Sequence, residues 1–128
     1  MPPMTTTRHL SVSVAKNAED LRLAQRLRYD VFVKELGGTG PDVDHINEQE
    51  RDKFDDVATH LLLRDHDRPE HDQVVGVYRV LTSAGADQVG QFYCESEYNL
   101  KLLKASGERL LELGRSSLHR DYRGGAGL

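Results

Sequence analysis

The residue pattern predicts an α+β domain built on a mainly antiparallel sheet. Three observations carry that prediction. Short runs rich in β-branched and apolar residues recur at 9–15, 58–64, 74–81 and 110–118. The turn-rich DHDRPEHDQ joins the second run to the third, as in an antiparallel hairpin. Helical periodicity follows the first strand rather than alternating regularly with every strand, which disfavours a parallel βαβ sheet.

The elements follow in chain order. LSVSVA alternates apolar and polar residues, as a half-buried strand does. Asn17 is placed to cap a helix, with Asp20 three residues on. Leu21, Ala24, Leu27 and Val31 recur at helical spacing, and the helix is expected to run to Leu36 before Gly37 and Gly38 stop it. Residues 38–54 are polar, contain Gly40-Pro41 and read as a long surface loop of the functional kind. After the hairpin, 83–90 reads as a loop, 97–105 as a short helix and 110–118 as the last strand. HRDYRGGAGL then closes the chain. A Gly-rich loop after an apolar strand normally opens a helix whose N-terminus holds an anion. No residues remain to form that helix, so the expectation is the front part (9–128) of one longer domain, incomplete at its C-terminus, behind a disordered tail at 1–8.

Composition removes several classes. A chain of 128 residues allows one domain. With 38% hydrophobic and 30% charged residues it is neither a membrane span nor a disordered chain. Seventeen Lys+Arg against 21 Asp+Glu give a net charge of −4, which argues against nucleic acid as a partner. Cys94 is the single cysteine, so no intramolecular disulfide can form. MPPMTTTRHL lacks the apolar core of a signal peptide, and no run approaches ~20 apolar residues. The expected compartment is the cytoplasm.

Four clusters could carry chemistry. Arg28 and Phe32 lie i, i+4 on the first helix. Asp52 and Asp55 bracket Phe54 in DKFD, Arg79 interrupts the apolar VGVYRVL, and Glu112 and Arg115 flank Gly114 in LLELGRSSL. Positions three apart on a regular strand face opposite sides, whereas a bulge at Gly114 would turn Glu112 and Arg115 to one face. Charges buried in a sheet need partners, so Arg28 and Arg79 are expected to meet Asp52, Asp55 and Glu112. Ion pairing without chemistry would produce the same pattern, as core packing would for Phe32. The set Asp65, His66, Asp67, Glu70, His71 and Asp72 has metal-ligand composition but sits in a polar turn, so no metal is expected. Cys94 reads as a small packed thiol. His119 alone is a weak base signal.

Taken in order, RYDVF, DKFDD, VVGVYRVLT, GQFYCESEYNL and LELGRSSLHRDYRGGA resemble the ornithine-lipid-forming N-acyltransferases, also called hemolysin-like acyltransferases. That family is similar to the autoinducer (acyl-homoserine-lactone) synthases within the GCN5-related N-acyltransferase superfamily. The resemblance implies a centrally splayed, mainly antiparallel sheet holding an acyl thioester. It implies a 3-hydroxyacyl group delivered by acyl carrier protein, with no bound cofactor, and L-ornithine as acceptor. The lipid product implies peripheral membrane contact. The pattern shared by the two families falls on Arg28, Phe32, Asp52, Asp55, Arg79, Glu112 and Arg115. Of these, Glu112, Arg115, Asp52 and Asp55 are the catalytic candidates, Glu112 as the base. Arg28, Phe32 and Arg79 are the substrate-binding candidates. Arg123, Gly124, Gly125, Ala126 and Gly127 correspond to the donor-phosphate loop, with Tyr122 where the superfamily has Arg or Gln. Autoinducer synthesis from S-adenosylmethionine and an inactive carrier-binding fragment are the alternatives.

Overall fold

The computed structural model describes residues 9–123. The tail at 1–8 and the glycine-rich 124–128 lie outside the described residues. In chain order come β1 (Leu10–Val14), α1 (Ala18–Tyr29), a π-helical turn (Asp30–Glu35), β2 (Val43–Asp44), β3 (Gln49–Glu50), β4 (Thr59–Asp65), β5 (Val74–Thr82), α2 (Ser83–Val89), α3 (Lys101–Ala105) and β6 (Leu111–Leu118). Short 3₁₀ turns occupy Glu70–Asp72, Tyr93–Ser96 and Arg120–Tyr122. β1, β4, β5 and β6 form one sheet in the order β1-β4-β5-β6, and each pairing within it is antiparallel. The predicted hairpin is thus β4–β5.

α1 begins where Asn17 Oδ1 accepts the Asp20 amide at 2.8 Å. The Asp20 carboxylate in turn accepts the Lys16 amide at 3.0 Å, one residue before the cap itself. Its apolar stripe packs on the sheet: Ala24, Leu27 and Val31 meet Leu62 and Val77 in one core cluster. Fully burying a side chain such as Leu27 contributes about 1.5–3 kcal/mol. A second cluster of Phe54, Leu81, Ala86 and Phe92 closes the other end of β5.

Four expectations need correction. The helix does not continue as α-helix to Leu36. Beyond Tyr29 it widens to a π turn, closed by the Gly38 amide donating to Phe32 O at 2.8 Å. A Cβ at Gly38 would stand 2.6 Å from that carbonyl, so the turn needs a glycine there. The long loop at 38–54 contains the small β2–β3 ladder, with Val43 opposite Glu50 and Asp44 opposite Gln49. Residues 83–90 form a helix, not a loop. Thr82 Oγ1 accepts the Gly85 amide at 3.1 Å, and Gly90 ends the helix at φ 98°. The helix expected at 97–105 starts only at Lys101, behind the Tyr93–Ser96 turn.

The bulge in β6 is present. Arg79 pairs with Gly114 and Val77 with Ser117, so Arg115 and Ser116 together oppose the single Tyr78. The residue in the left-handed region is Arg115 itself, at φ 49°, while a Cβ added at Gly114 would meet nothing.

Candidate active site

Three arginines and three carboxylates interlock between α1, β3, the loop before β4, β5 and β6. Arg28 is wholly buried. Its Nε donates to Glu50 Oε1 at 2.9 Å, and its Nη2 to Glu50 O at 2.7 Å and Asp55 Oδ2 at 2.5 Å. Arg79 Nη1 donates to Asp52 Oδ1 at 2.6 Å and to Asp55 Oδ1 at 3.0 Å. Arg115 forms an ion pair with Glu50. Gln25 Nε2 and the Asp52 amide also donate to Asp55 Oδ2, at 3.1 and 3.2 Å. The helix supplies Arg28 from the edge of its apolar stripe. The sheet supplies Arg79 from an inward-facing position, and the bulge swings Arg115 onto that same face.

Burial pushes the Asp55 carboxyl up, but hydrogen bonding and charge from Arg28 and Arg79 outweigh it and hold the group below the ordinary aspartate value. The Asp55 carbonyl accepts the His60 Nε2–H at 2.9 Å, which fixes that tautomer. Burial lowers the His60 pKa, so the imidazole is neutral. Two donors in the cluster are buried and find no acceptor among the described residues, Arg28 Nη1 and Arg115 Nε.

Aromatic rings cover the guanidinium groups. The Arg115 carbon lies 4.2 Å from the Phe32 ring centroid and 5.8 Å from that of Tyr93. The Arg79 carbon lies 5.2 Å from Tyr93 and 5.6 Å from Phe54, and these two rings meet edge-on. Phe32 is therefore half-buried against an arginine on the π turn rather than packed only in the apolar core.

Glu112 departs from expectation. Among the described residues it forms no ion pair with the arginine cluster and instead caps a turn, Oε1 accepting the Tyr93 amide at 2.7 Å and Oε2 the Cys94 amide at 2.8 Å. Glu50 occupies the place expected of it. Nothing distinguished Glu50 in NEQERDKFDD, where five of ten residues are acidic and two more are amides. Its short ladder with Val43 turns it inward, and that pairing has no local sequence signature. Tyr93 lay within a quoted motif, yet only the fold shows it beside both Arg79 and Arg115.

The remaining candidates sit apart. Arg123 is clamped by Glu35, with both Nη atoms 2.9 Å from the carboxylate, and its Nε donates to Leu118 O at 2.9 Å. Gly124, Gly125, Ala126 and Gly127 lie outside the described residues. His119 Nδ1 accepts the Asp121 amide at 3.1 Å. The hairpin histidine His66 bonds Ser11 Oγ at 2.6 Å, and His9 pairs with Asp67, tying the turn to β1. The Cys94 thiol is pushed up to about 11, by burial first and then by Glu112, so it is protonated at neutral pH. Among the described residues, no helix is long and apolar enough to cross a membrane.

The fold is thus an antiparallel sheet backed by a helix, with a bulged strand facing a buried charge cluster. The chain belongs to the acetyltransferase (GNAT) domain family, whose pattern it matches over residues 27–128. Within that class it is similar to an L-ornithine N(alpha)-acyltransferase from Rhodobacter capsulatus, at 53% identity over 91% of this chain and 46% of that protein. It is also similar to the enzyme of the same name from Brucella abortus, at 37% identity over 89% of this chain and 42% of that one. The chain thus spans about half the length of these curated relatives. Two solved structures share the fold. FeeM, an N-acyl amino acid synthase from uncultured soil microbes, superposes with a TM-score of 0.66 at 14% identity, covering 92% of this chain and 58% of that one. The acyl-homoserine-lactone synthase LasI gives 0.58 at 22% identity, covering 95% and 59%.

Proposed function

We propose that this chain is part of an N-acyltransferase that moves a 3-hydroxyacyl group from acyl carrier protein to the α-amine of L-ornithine. The observation that carries the proposal is the 53% identity to a protein named for that acceptor and that nitrogen. The donor and the 3-hydroxyacyl group rest on the family resemblance.

The reaction is aminolysis of a thioester. The α-ammonium loses a proton, the amine attacks the carbonyl carbon, a C–N bond forms, and the C–S bond breaks to release the carrier thiol. A base is needed because an α-amine is largely protonated near neutral pH. Asp52 is the better placed carboxylate. Its Oδ1 accepts Arg79 and the Phe54 amide, while Oδ2 has no donor among the described residues. Both Glu112 oxygens already take backbone amides. Arg79 holds Asp52 in place through its 2.6 Å hydrogen bond, and spare N–H groups of Arg79 and Arg115 suit the acceptor's carboxylate. Asp55 holds Arg28 and Arg79 in place. Backbone amides at the Gly114–Ser117 bulge would meet the developing oxyanion. Exposed Arg120 suits the acidic surface of a carrier protein, and the Gly124-Gly125-Ala126-Gly127 segment suits its phosphopantetheine phosphate.

The test is a labelling experiment with the natural full-length protein. Label from ornithine should enter a lipid-soluble product, and label from S-adenosylmethionine should not. The reverse pattern makes the protein an autoinducer synthase. Label from neither leaves a carrier-binding role.

A further inference from the structure

Glu112, Tyr93, Arg79 and Arg115 form a connected unit that the proposed chemistry leaves half unexplained. Glu112 spends both carboxylate oxygens on the amides of Tyr93 and Cys94, although it lies on the same face of the sheet as Arg79. What it fixes is the turn that aims Tyr93. Tyr93 is 41% exposed, although its ring lies beside two arginines and Phe54. An exposed aromatic over guanidinium groups with spare donors shields those donors on one side and leaves an open side for a ligand. Among the described residues Arg79 hydrogen-bonds through Nη1 alone, and Arg115 Nε has no acceptor. Phe32 also lies against Arg115, its ring centroid 4.2 Å from the guanidinium carbon.

We propose that Tyr93 is a positioning residue of the acceptor site. Its ring, carried on the turn whose amides Glu112 accepts, sets the planes of Arg79 and Arg115 to receive the carboxylate of the incoming amino acid. This rests on the acyltransferase reading above. A free carboxylate next to the nucleophilic amine is common to all α-amino acids, so Tyr93 governs how well an amino acid binds rather than which acyl chain is transferred.

The test compares Tyr93→Phe, Tyr93→Ala and Tyr93→Leu in the natural full-length protein, with KM and kcat for ornithine and for the acyl donor, and the thermal midpoint of each variant. The Ala variant should raise the KM for ornithine about tenfold, with kcat within about threefold and the donor KM unchanged. Phe should restore the wild-type KM. An unchanged ornithine KM in the Ala variant overturns the proposal, and so does a matching rise in the donor KM. If Ala lowers the thermal midpoint, Leu decides. It refills the space beside Phe54 without a π face, so a raised KM supports the proposal and a wild-type KM overturns it. An inactive wild type fails the acyltransferase reading instead. In that case the Arg79 and Arg115 Nε–H resonances still discriminate. Ring-shifted signals that collapse in the Ala variant support the placement, and unmoved signals overturn it.

Discussion

Arg115 leaves the bulge of β6 in a left-handed backbone conformation and lays its guanidinium carbon 4.2 Å from the ring of Phe32 on the π turn. Two strained or irregular segments, far apart in sequence, meet in that one contact. Backbone strain held against a site is sustained by the surrounding packing.

Arg115 therefore carries separable backbone and side-chain contributions. Arg115→Ala leaves Glu50 short of a partner and keeps a Cβ in the left-handed region. Arg115→Gly loses the same ion pair but relieves the backbone, and is expected to be the more stable of the two by about 1 kcal/mol. Urea unfolding of both variants measures the difference. Equal stabilities would mean that the left-handed conformation carries no strain.

The two half-buried carboxylates should separate in kinetics. Asp52→Asn removes the free oxygen beside Arg79, with a loss of about 10²–10⁴ in kcat. Glu112→Gln keeps one amide acceptor, should retain kcat within about tenfold and should instead weaken ornithine binding. Initial rates in the natural full-length protein decide, and a collapse of kcat confined to the Glu112 variant would return the base to that residue.

Asp55 makes stability depend on acid. Its folded pKa lies below the unfolded value of about 3.9. The contribution is then fully present above that value and is lost as pH falls through the folded pKa. Asp55→Asn should flatten this acid limb in thermal melts between about pH 5 and 2. It should also cost about 3–5 kcal/mol at neutral pH, because Arg28 and Arg79 lose a shared buried partner.

The 128-residue chain by itself should associate. Leu111 and Leu113 on β6 are 59% and 55% exposed, and among the described residues β6 pairs only with β5. An apolar edge strand of this kind recruits other edges. Gel filtration across a concentration series should show dimers or larger species, with Leu113→Lys shifting the population toward monomer. A monomer at every concentration contradicts the expectation.

What could be read from the residues depended on how local the cause was. β1, the β4–β5 hairpin and the start of α1 follow from alternation, a turn and the Asn17 cap, all within a few residues. The bulge was legible because Glu112-Leu113-Gly114-Arg115 is incompatible with a regular buried strand. α2 was missed because Ser83, Gly85 and Gly90 look like loop residues. Its cap is Thr82, and a Cβ at Gly85 would stand 2.6 Å from Val57 O, a contact that depends on the tertiary fold. The same applies to the site. Arg28, Asp52, Asp55, Arg79 and Arg115 announce themselves as charges in apolar or aromatic surroundings. Glu50 stands among other acidic residues, and Glu112 is drawn to a turn whose amides need an acceptor.

The charge cluster also sets an order of events. Arg28 reaches forward to Glu50 and Asp55, Arg79 reaches back to Asp52, and Arg115 reaches back across the sheet to Glu50. Contacts so distant along the chain require large loops to close first, which slows their formation relative to local helix and hairpin. On the ribosome α1 and the β4–β5 hairpin can form early, whereas the cluster stays incomplete until β6 has emerged. Until then Glu50 lacks one of its two arginines, and the half-made site stands open to solvent.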